Sequence, residues 1–256
     1  MIKFFRHIRQ NLLMDLSAGK AGNKTSKYFK YAIGEIILVV IGILIALQIN
    51  TWNEKKKESR KLKVVLTSVY KDLVADSLAI HEDLEMVNLR VENNSKFQKR
   101  IYSSSANLDT IINMMKYEFP IFWYQGVTYN TNTFNNLKSS GSFDILPESL
   151  KKELSDYYTL VAQNSRLSGI YLDQYRTQLD NYLNTYNMVG RIHSSNFKNS
   201  YLFNDSWRDI DSKDFTARSA VLFGSYSVLY NQNKKQLNTS MSKIKLLLPI
   251  LNSYLK

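Results

Sequence analysis

The stretch "YAIGEIILVVIGILIALQINTWNEKKK", residues 31–57, is the most apolar part of the chain and governs how the rest is interpreted. Within it, residues 32–49 contain only two strongly polar side chains, Glu35 and Gln48. At about 1.5 Å per helical residue they span roughly 27 Å, close to the thickness of the hydrocarbon core of a bilayer. Residues 31–52 are therefore predicted to form one transmembrane helix.

The flanks of this stretch favour a membrane anchor over two alternatives. Tyr28 and Tyr31 on one side and Trp52 on the other are placed like interfacial aromatic belts, with Lys and Arg beyond them. A cleaved signal peptide would have a shorter apolar region followed by a small-x-small cleavage site. A buried helix of a soluble protein would not usually need such flanks. We expect an uncleaved anchor, with the other two interpretations as alternatives.

Positive charge is concentrated around the apolar stretch. Residues 1–61 contain twelve Lys or Arg and four Asp or Glu, whereas the signs are interspersed in the remainder of this chain of formal net charge +12. A nucleic-acid-binding protein would need a basic face on its folded body, so the pattern argues against a nucleic-acid partner. It predicts instead that the chain contacts a bilayer with anionic headgroups.

Three regions follow from these patterns. Residues 1–30 are predicted to be a basic cytoplasmic N-terminal segment, which begins with an amphipathic helix suited to a membrane surface or to a positive retention signal. Residues 31–52 form the transmembrane helix, and residues 53–256 form a helical-bundle domain. Lys and Arg are similarly frequent on both sides of the span, so orientation rests on the ability of long domains to be translocated. We expect the body in the periplasm of a Gram-negative cell.

The body shows the helical period in three long segments. Residues 62–101 place apolar side chains at spacings of three and four, with polar gaps at Asp76 and Asn94. A second helix is predicted to begin near Pro147, and a third follows a cap at Ser212. Such helices bury their apolar stripes by packing together, so we predict an all-α fold with an elongated antiparallel bundle of long helices.

The region between the first two long helices is less regular. Residues 108–118 are predicted to form a shorter helix, residues 133–139 another, and residues 140–142 a turn. Pro249 is expected to kink the last turns of the third long helix.

Several segments resemble an uncharacterised family of bacterial single-pass inner-membrane proteins. The resemblance lies in "MIKFFRHIRQNLL" (1–13) and "KYFKYAIGEIILVVIGILIALQINTWNE" (27–54), and in "FNNLKSSGSFDIL" (134–146) with "LKKELSDYY" (150–158). It implies a bacterial inner-membrane location and a single-pass architecture, but no catalytic residue, ligand or activity.

Two features of the span are candidate contacts. Glu35 lies about 6 Å past Tyr31 along a helix, so its carboxylate can reach the interface as a structural group or subunit contact. Contact with a partner membrane protein and proton transfer are its alternatives. Gly42 and Ala46 form a small-xxx-small pair that would let another span approach closely. Together with Trp52, these residues are the predicted membrane-interface or span contacts.

Two segments of the body are candidates for a partner or ligand surface. Phe122, Trp123 and Tyr124 belong to an irregular aromatic stretch that either fills the end of the bundle or lines a groove. Ser140 and Gly141 are predicted to form a turn, because glycine permits a positive φ. A binding loop is the alternative.

The residues offer little catalytic chemistry. The chain has no cysteine and only three histidines, and His81 with Glu85 is too small a set to hold a metal. Phosphate-binding, serine-hydrolase, zinc-protease and dinucleotide motifs are missing from the sequence. We therefore predict no catalytic, metal or cofactor site and a non-enzymatic protein.

The leading hypothesis is a membrane-anchored helical module that scaffolds or recognises other envelope proteins, or that self-associates. The alternative is a ligand-sensing subunit that signals through a partner membrane protein. An enzyme with an unfamiliar site is a third possibility.

Overall fold

The computed structural model describes residues 24–121, 126–186, 205, 207–208 and 210–255, with side chains from residue 31 onward. Over these ranges the chain forms five α-helices and one π-helical turn and has no strand, which confirms the predicted all-α class. The helices are α1 (Lys24–Ile101), α2 (Leu108–Asn113), α3 (Asn132–Ser139), α4 (Glu148–Leu183) and α5 (Ser212–Leu255), and the π-helical turn is Met114–Glu118.

Residue contacts divide the chain into two compact units, Met1–Arg60 and Lys61–Lys256. In the first unit, the large apolar side chains of residues 33–49 are 37% to 62% exposed. Among the described residues, α1 is the one helix long and apolar enough to cross a membrane, and its apolar window contains no buried residue. The predicted regions 1–30, 31–52 and 53–256 remain a prediction, since the contact boundary reports packing and not membrane position.

The second unit has a core made by three long helices. α1 contributes residues at the predicted helical spacing, among them Leu66, Val69, Leu73, Ile80 and Val87, and each is at most 3% exposed. They pack with buried side chains of α4 and α5 in one continuous cluster. Fully burying a side chain of this size is worth about 1.5–3 kcal/mol, so these stripes are the main source of the bundle's stability.

Side-chain contacts give the directions of the helices. The Lys243 ammonium lies 3.7 Å from the Glu153 carboxylate near the start of α4, whereas the rings of Tyr182 and Phe215 lie 6.1 Å apart near its end. α4 and α5 are therefore antiparallel.

α1 is also antiparallel to α5. The Ser77 hydroxyl lies 3.5 Å from the Met241 sulfur, and the rings of Phe97 and Phe223 lie 6.0 Å apart. Since both α1 and α4 are antiparallel to α5, they run in the same direction. The predicted antiparallel packing thus describes both pairs that include α5.

The connection between α1 and α4 packs on the bundle. Asn107 caps α2, and the following π-helical turn buries Met114 and Met115. Phe119 then makes an edge contact with Phe223 of α5. In α3, Phe134 stacks on Tyr158 of α4 with ring centroids 4.0 Å apart. Because this connection returns the chain along the bundle, α4 can start beside α1 and follow its direction.

One predicted helix boundary is wrong by one residue. The backbone N–H groups of Lys213 and Asp214 donate to Asp211 Oδ1 at 2.9 and 3.2 Å, so Asp211 caps α5 and Ser212 is its first helical residue. Aspartate and serine are both favoured caps, and the choice depends on which residue leaves the helical conformation. Pro147 occupies the cap position of α4, and Pro249 lies inside α5 without ending it.

Candidate functional site

A buried carboxylate ties three parts of the second unit together. Asp76 of α1 is fully buried. Its Oδ1 accepts hydrogen bonds from the backbone N–H and the side-chain amide of Asn130, at 3.0 and 2.7 Å. Its Oδ2 accepts one from the Tyr157 hydroxyl of α4, at 3.1 Å. The donors are neutral, so hydrogen bonds replace the solvation of this carboxylate without an opposite charge.

The environment of Asp76 shifts its titration. Burial raises the pKa of the Asp76 carboxyl above its usual value, and the hydrogen bonds from Asn130 and Tyr157 oppose this rise. The nearby Asp72 carboxylate raises it further. Burial and the Asp76 charge also raise the pKa of Tyr157. The result is a carboxyl group that holds its proton to higher pH than an exposed aspartate.

The segment of residues 126–131 is fixed beside this carboxylate. Asn130 binds Asp76, and the neighbouring Tyr129 hydroxyl donates to Ser240 Oγ of α5 at 3.2 Å. Gly126 begins the segment with φ +81°, a conformation that glycine adopts without the strain of a side chain. The segment is thereby held against both α1 and α5.

A pocket of about 410 Å³ opens between this segment, α4 and α5. We call it the polar pocket. Its volume lies within the range of roughly 300–1,000 Å³ typical of small-molecule sites. The lining comprises residues 126–129 and 131, Val161, Ala162, Asn164, Ser165, Ser168, Gly169 and Leu172 of α4, and Asn233, Gln236 and Leu237 of α5.

Several polar side chains of this lining are hydrogen-bonded to one another or to the neighbouring helix. The Asn164 amide donates to Ser240 Oγ at 3.0 Å, and Asn233 donates to the Leu229 carbonyl at 2.8 Å. The Ser168 hydroxyl lies 2.6 Å from Asn233 Oδ1 and 2.7 Å from Gln236 Oε1. A hydroxyl has one proton to donate, so it serves one of these two oxygens at a time.

The lining determines what the pocket can do chemically. None of its described residues is charged, and the one titratable group, the Tyr129 hydroxyl, has its pKa raised by burial. The available groups are amides and hydroxyls, which both donate and accept hydrogen bonds. The pocket is therefore suited to binding and orienting a neutral molecule.

The described residues provide no site for a metal ion. Within the described ranges, His, Cys, Asp and Glu side chains do not gather in any group of three or more able to hold an ion. His81 Nε2 lies 3.7 Å from Glu85 Oε1 as a pair on α1, with both side chains more than two-thirds exposed.

An ion-pair cluster joins the end of α4 to the start of α5. Asp214 accepts a hydrogen bond from the Tyr186 hydroxyl at 2.6 Å, and the single N–H of Arg218 Nε is shared between both Asp214 carboxylate oxygens at 2.9 Å. These bonds, the one from Tyr186 first, lower the pKa of the Asp214 carboxyl. Burial, with a smaller effect of Asp214, raises the pKa of Tyr186 to about 12. The cluster fixes helix ends and lies apart in sequence from the lining of the polar pocket.

The predicted span residues all lie on α1 in the first unit. Glu35, Gly42 and Ala46 are exposed there, and a Cβ built at Gly42 would meet no atom within 4 Å. Trp52 is 63% exposed, and the Lys56 ammonium lies 4.8 Å from its ring centroid. These positions leave room for a neighbouring span, and their roles remain predictions.

Of the predicted body residues that the structure describes, Ser140 and Gly141 do not line the polar pocket. Phe122, Trp123 and Tyr124 lie outside the described residues. Ser140 donates to the Leu137 carbonyl at 3.1 Å, and Gly141 has φ +72°. This geometry is that of a helix C-terminal turn.

The sequence interpretation missed the polar pocket and the hydrogen-bonding partners of Asp76, although a signal for some of the buried polar residues was present. Asp76 and Asn94 interrupt the apolar stripe of α1, and both are buried in the core. Asn164 and Asn233 are likewise polar residues on the buried faces of α4 and α5. A polar residue on a buried stripe needs a hydrogen-bonding partner, and such positions mark internal networks.

Comparison with known proteins identifies a family and no activity. A family model described as "Family of unknown function (DUF6090)" matches residues 35–199, which is more than half of the chain. The chain belongs to this family. No curated protein matches it. No solved structure matches it either.

Proposed function

We propose that this member of DUF6090 is a non-enzymatic module anchored in the bacterial inner membrane by one span. In this proposal its helical body lies in the periplasm and recognises or scaffolds other envelope proteins. The N-terminal residues 1–30 stay in the cytoplasm, and the basic residues around the span contact anionic lipid headgroups.

The observation that carries this proposal is the difference in burial between two parts of α1. One helix contains a window of apolar side chains that the protein leaves unburied and, farther along, the core stripe from Leu66 to Val87. An unburied apolar surface of this length is costly in water and favourable in a bilayer. Trp52, which is exposed and lies beside the Lys56 ammonium just beyond that window, supports the proposal because such residues are enriched at membrane interfaces.

Topology and partners are tested together on the full chain. A tag is placed at each end, protease is added to spheroplasts, and membranes are then solubilised gently for a pull-down. We expect an N-terminal tag that is protected, a body that is accessible and uncleaved, and a reproducible set of co-purifying envelope proteins. The control is an unrelated single-pass protein with the same tags.

Three results would contradict the proposal, each in a different part. A protected body would place it in the cytoplasm. Separation of the N-terminal tag from the body before protease is added would indicate a cleaved signal peptide. Co-purifying proteins no different from those of the control would remove the scaffolding role.

A second candidate function is a ligand-sensing subunit that signals through a partner membrane protein, and the polar pocket is the observation that favours it. A sensing subunit predicts a molecule that raises the melting temperature by mass action, whereas a scaffold predicts little thermal shift with small molecules.

A further inference from the structure

We propose that the polar pocket binds a neutral, hydroxyl-rich ligand of one or two sugar rings. This inference deepens the second candidate function and rests on it. The space, the charge and the hydrogen-bonding groups of the described lining residues support it.

The space results from small side chains on one face of α4. Ala162, Ser165, Ser168 and Gly169 recur at helical spacing along the pocket. A Cβ built at Gly169 would meet no atom within 4 Å, so the absence of a side chain there leaves open volume. Larger residues at these positions would occupy the roughly 410 Å³ that the pocket provides.

The charge of the lining selects against ionic ligands. None of the lining residues that the structure describes is a Lys, Arg, His, Asp or Glu. An ion that enters loses solvation and gains no opposite charge, and this cost is large for a carboxylate or phosphate. Asp76 lies behind Asn130, outside the lining, and is occupied by its own hydrogen bonds. A neutral ligand avoids this penalty.

The hydrogen-bonding groups match hydroxyls. Asn233 is held by its bond to the Leu229 carbonyl, so its Oδ1 faces Ser168, and Gln236 presents its side-chain amide to the same hydroxyl. With Oε1 or Nε2 presented, Gln236 either accepts or donates, and Ser168 adapts by rotating its proton. Sugar hydroxyls donate and accept in the same way. Val127, Leu172 and Leu237 add apolar surface for the C–H faces of a sugar ring.

The test uses the full-length protein in detergent micelles, with glucose and maltose as probes at millimolar concentration and glucuronate as a charged probe of similar shape. Binding is followed by thermal shift and by saturation-transfer NMR. Gly169→Leu fills the pocket. Gly224→Leu is the matched control, because Gly224 is also a helical glycine with no atom within 4 Å of a built Cβ and does not line the pocket. Ser165→Leu is a second filling variant, in case Gly169→Leu folds poorly.

We expect at least one of the two neutral sugars to raise the melting temperature in a saturable way and to show saturation transfer, with a much weaker effect of glucuronate. Gly224→Leu should retain the shift, and Gly169→Leu and Ser165→Leu should lose at least tenfold in affinity. Sugars also stabilise proteins weakly by exclusion from their surface, and the filling variants share that effect. Binding in the pocket is therefore measured by the difference in melting-temperature shift between the filling variants and Gly224→Leu.

Two results would overturn the inference. An equal shift in the wild type and in both filling variants would mean that the sugars act by exclusion. No saturable shift with either sugar would mean that the ligand class is wrong. The topology and pull-down experiment uses neither sugars nor these variants. It therefore tests the membrane anchor and the envelope-protein partners independently of the sugar ligand.

Discussion

Asp76 is a buried carboxylate whose hydrogen-bond donors are neutral. Its pKa is shifted upward, in the direction opposite to that of many native carboxylates. Many native carboxylates have a lowered pKa and lose stabilising contacts in acid. Burial raises the pKa of Asp76 instead. The stability linked to this group is therefore fully present below the unfolded pKa and is lost as pH rises through the folded pKa. The Asp72 carboxylate raises the pKa of Asp76 further, and the Asp76 charge in turn raises the pKa of Tyr129, Tyr157 and Tyr158.

Asp76→Asn should remove this pH dependence. The amide keeps an acceptor for Asn130 and leaves the Tyr157 hydroxyl free to act as acceptor, and it carries no charge. We expect the variant to gain melting temperature relative to the wild type as pH is raised from about 4 to about 8. Circular dichroism of the full chain in detergent measures both melting profiles.

The matched control for this substitution is Glu82→Gln, an exposed acid on the same helix. Melting profiles of this variant over the same pH range give the reference for removing one exposed acid from α1. If Asp76→Asn followed the wild-type profile over the whole range, the buried carboxyl would not be the group that titrates.

The pKa of Asp214 is shifted in the opposite direction, downward. Hydrogen bonds from Tyr186 and Arg218 lower its pKa, so its contribution to stability is present above the unfolded pKa and is lost as pH falls through the lowered one. Asp214→Asn should lower the melting temperature at neutral pH, and the difference from the wild type should shrink in acid. Asp180→Asn, an exposed acid of α4, is the control for thermal melts at both pH values. A difference that grew in acid would contradict the assignment.

At the scale of one residue, the sequence predicts whether a side chain lies on a buried face better than it predicts which residue that side chain bonds. The helical period places Asp76 and Asn94 within the stripe of α1 that turns out to be buried. The partner Asn130 lies 54 residues away in a segment with no periodic pattern. Local spacing does not encode such long-range pairs, so the polar pocket and its hydrogen bonds could not be assembled from the sequence.

At the scale of the elements, helix starts are set by single side chains. Asp211→Ala should remove the cap of α5 and destabilise the bundle by about 0.5–2 kcal/mol. Ser212→Ala is the informative comparison, because Ser212 is the first helical residue and the cap is the preceding Asp211. Thermal melts of both variants at neutral pH compare the two positions. A larger loss for Ser212→Ala than for Asp211→Ala would restore Ser212 as the cap.

The elements also show where sequence patterns lose information. The starts of α4 and α5 follow from Pro147 and from a cap near residue 212, because caps act within one turn. The direction of α4 relative to α1 does not follow. Helices joined by short connections become antiparallel neighbours, but residues 102–147 are long enough to return along the bundle. The direction is decided by contacts such as that between Asp76 and Tyr157.

At the scale of the whole molecule, the proposed anchor depends on what covers the exposed apolar window of α1, which is long and apolar enough to cross a membrane. A bilayer would cover it, and a second span packed on Gly42 and Ala46 would cover part of the same surface. The two predictions differ in their dependence on side-chain size. Lipid accommodates a larger residue at position 42, whereas a closely packed helix does not.

Gly42→Leu therefore separates lipid contact from span packing. We expect the variant to insert normally, because a Cβ there meets no atom within 4 Å, and to lose most of its intramembrane cross-linking to a second copy or to a partner. Gly34→Leu is the matched control, since Gly34 has equal space and lies outside the small-residue pair. Cross-linking in membranes through engineered cysteines measures both variants, and the natural chain contains no cysteine to interfere. Equal cross-linking in the wild type and in both variants would mean that lipid alone covers this face.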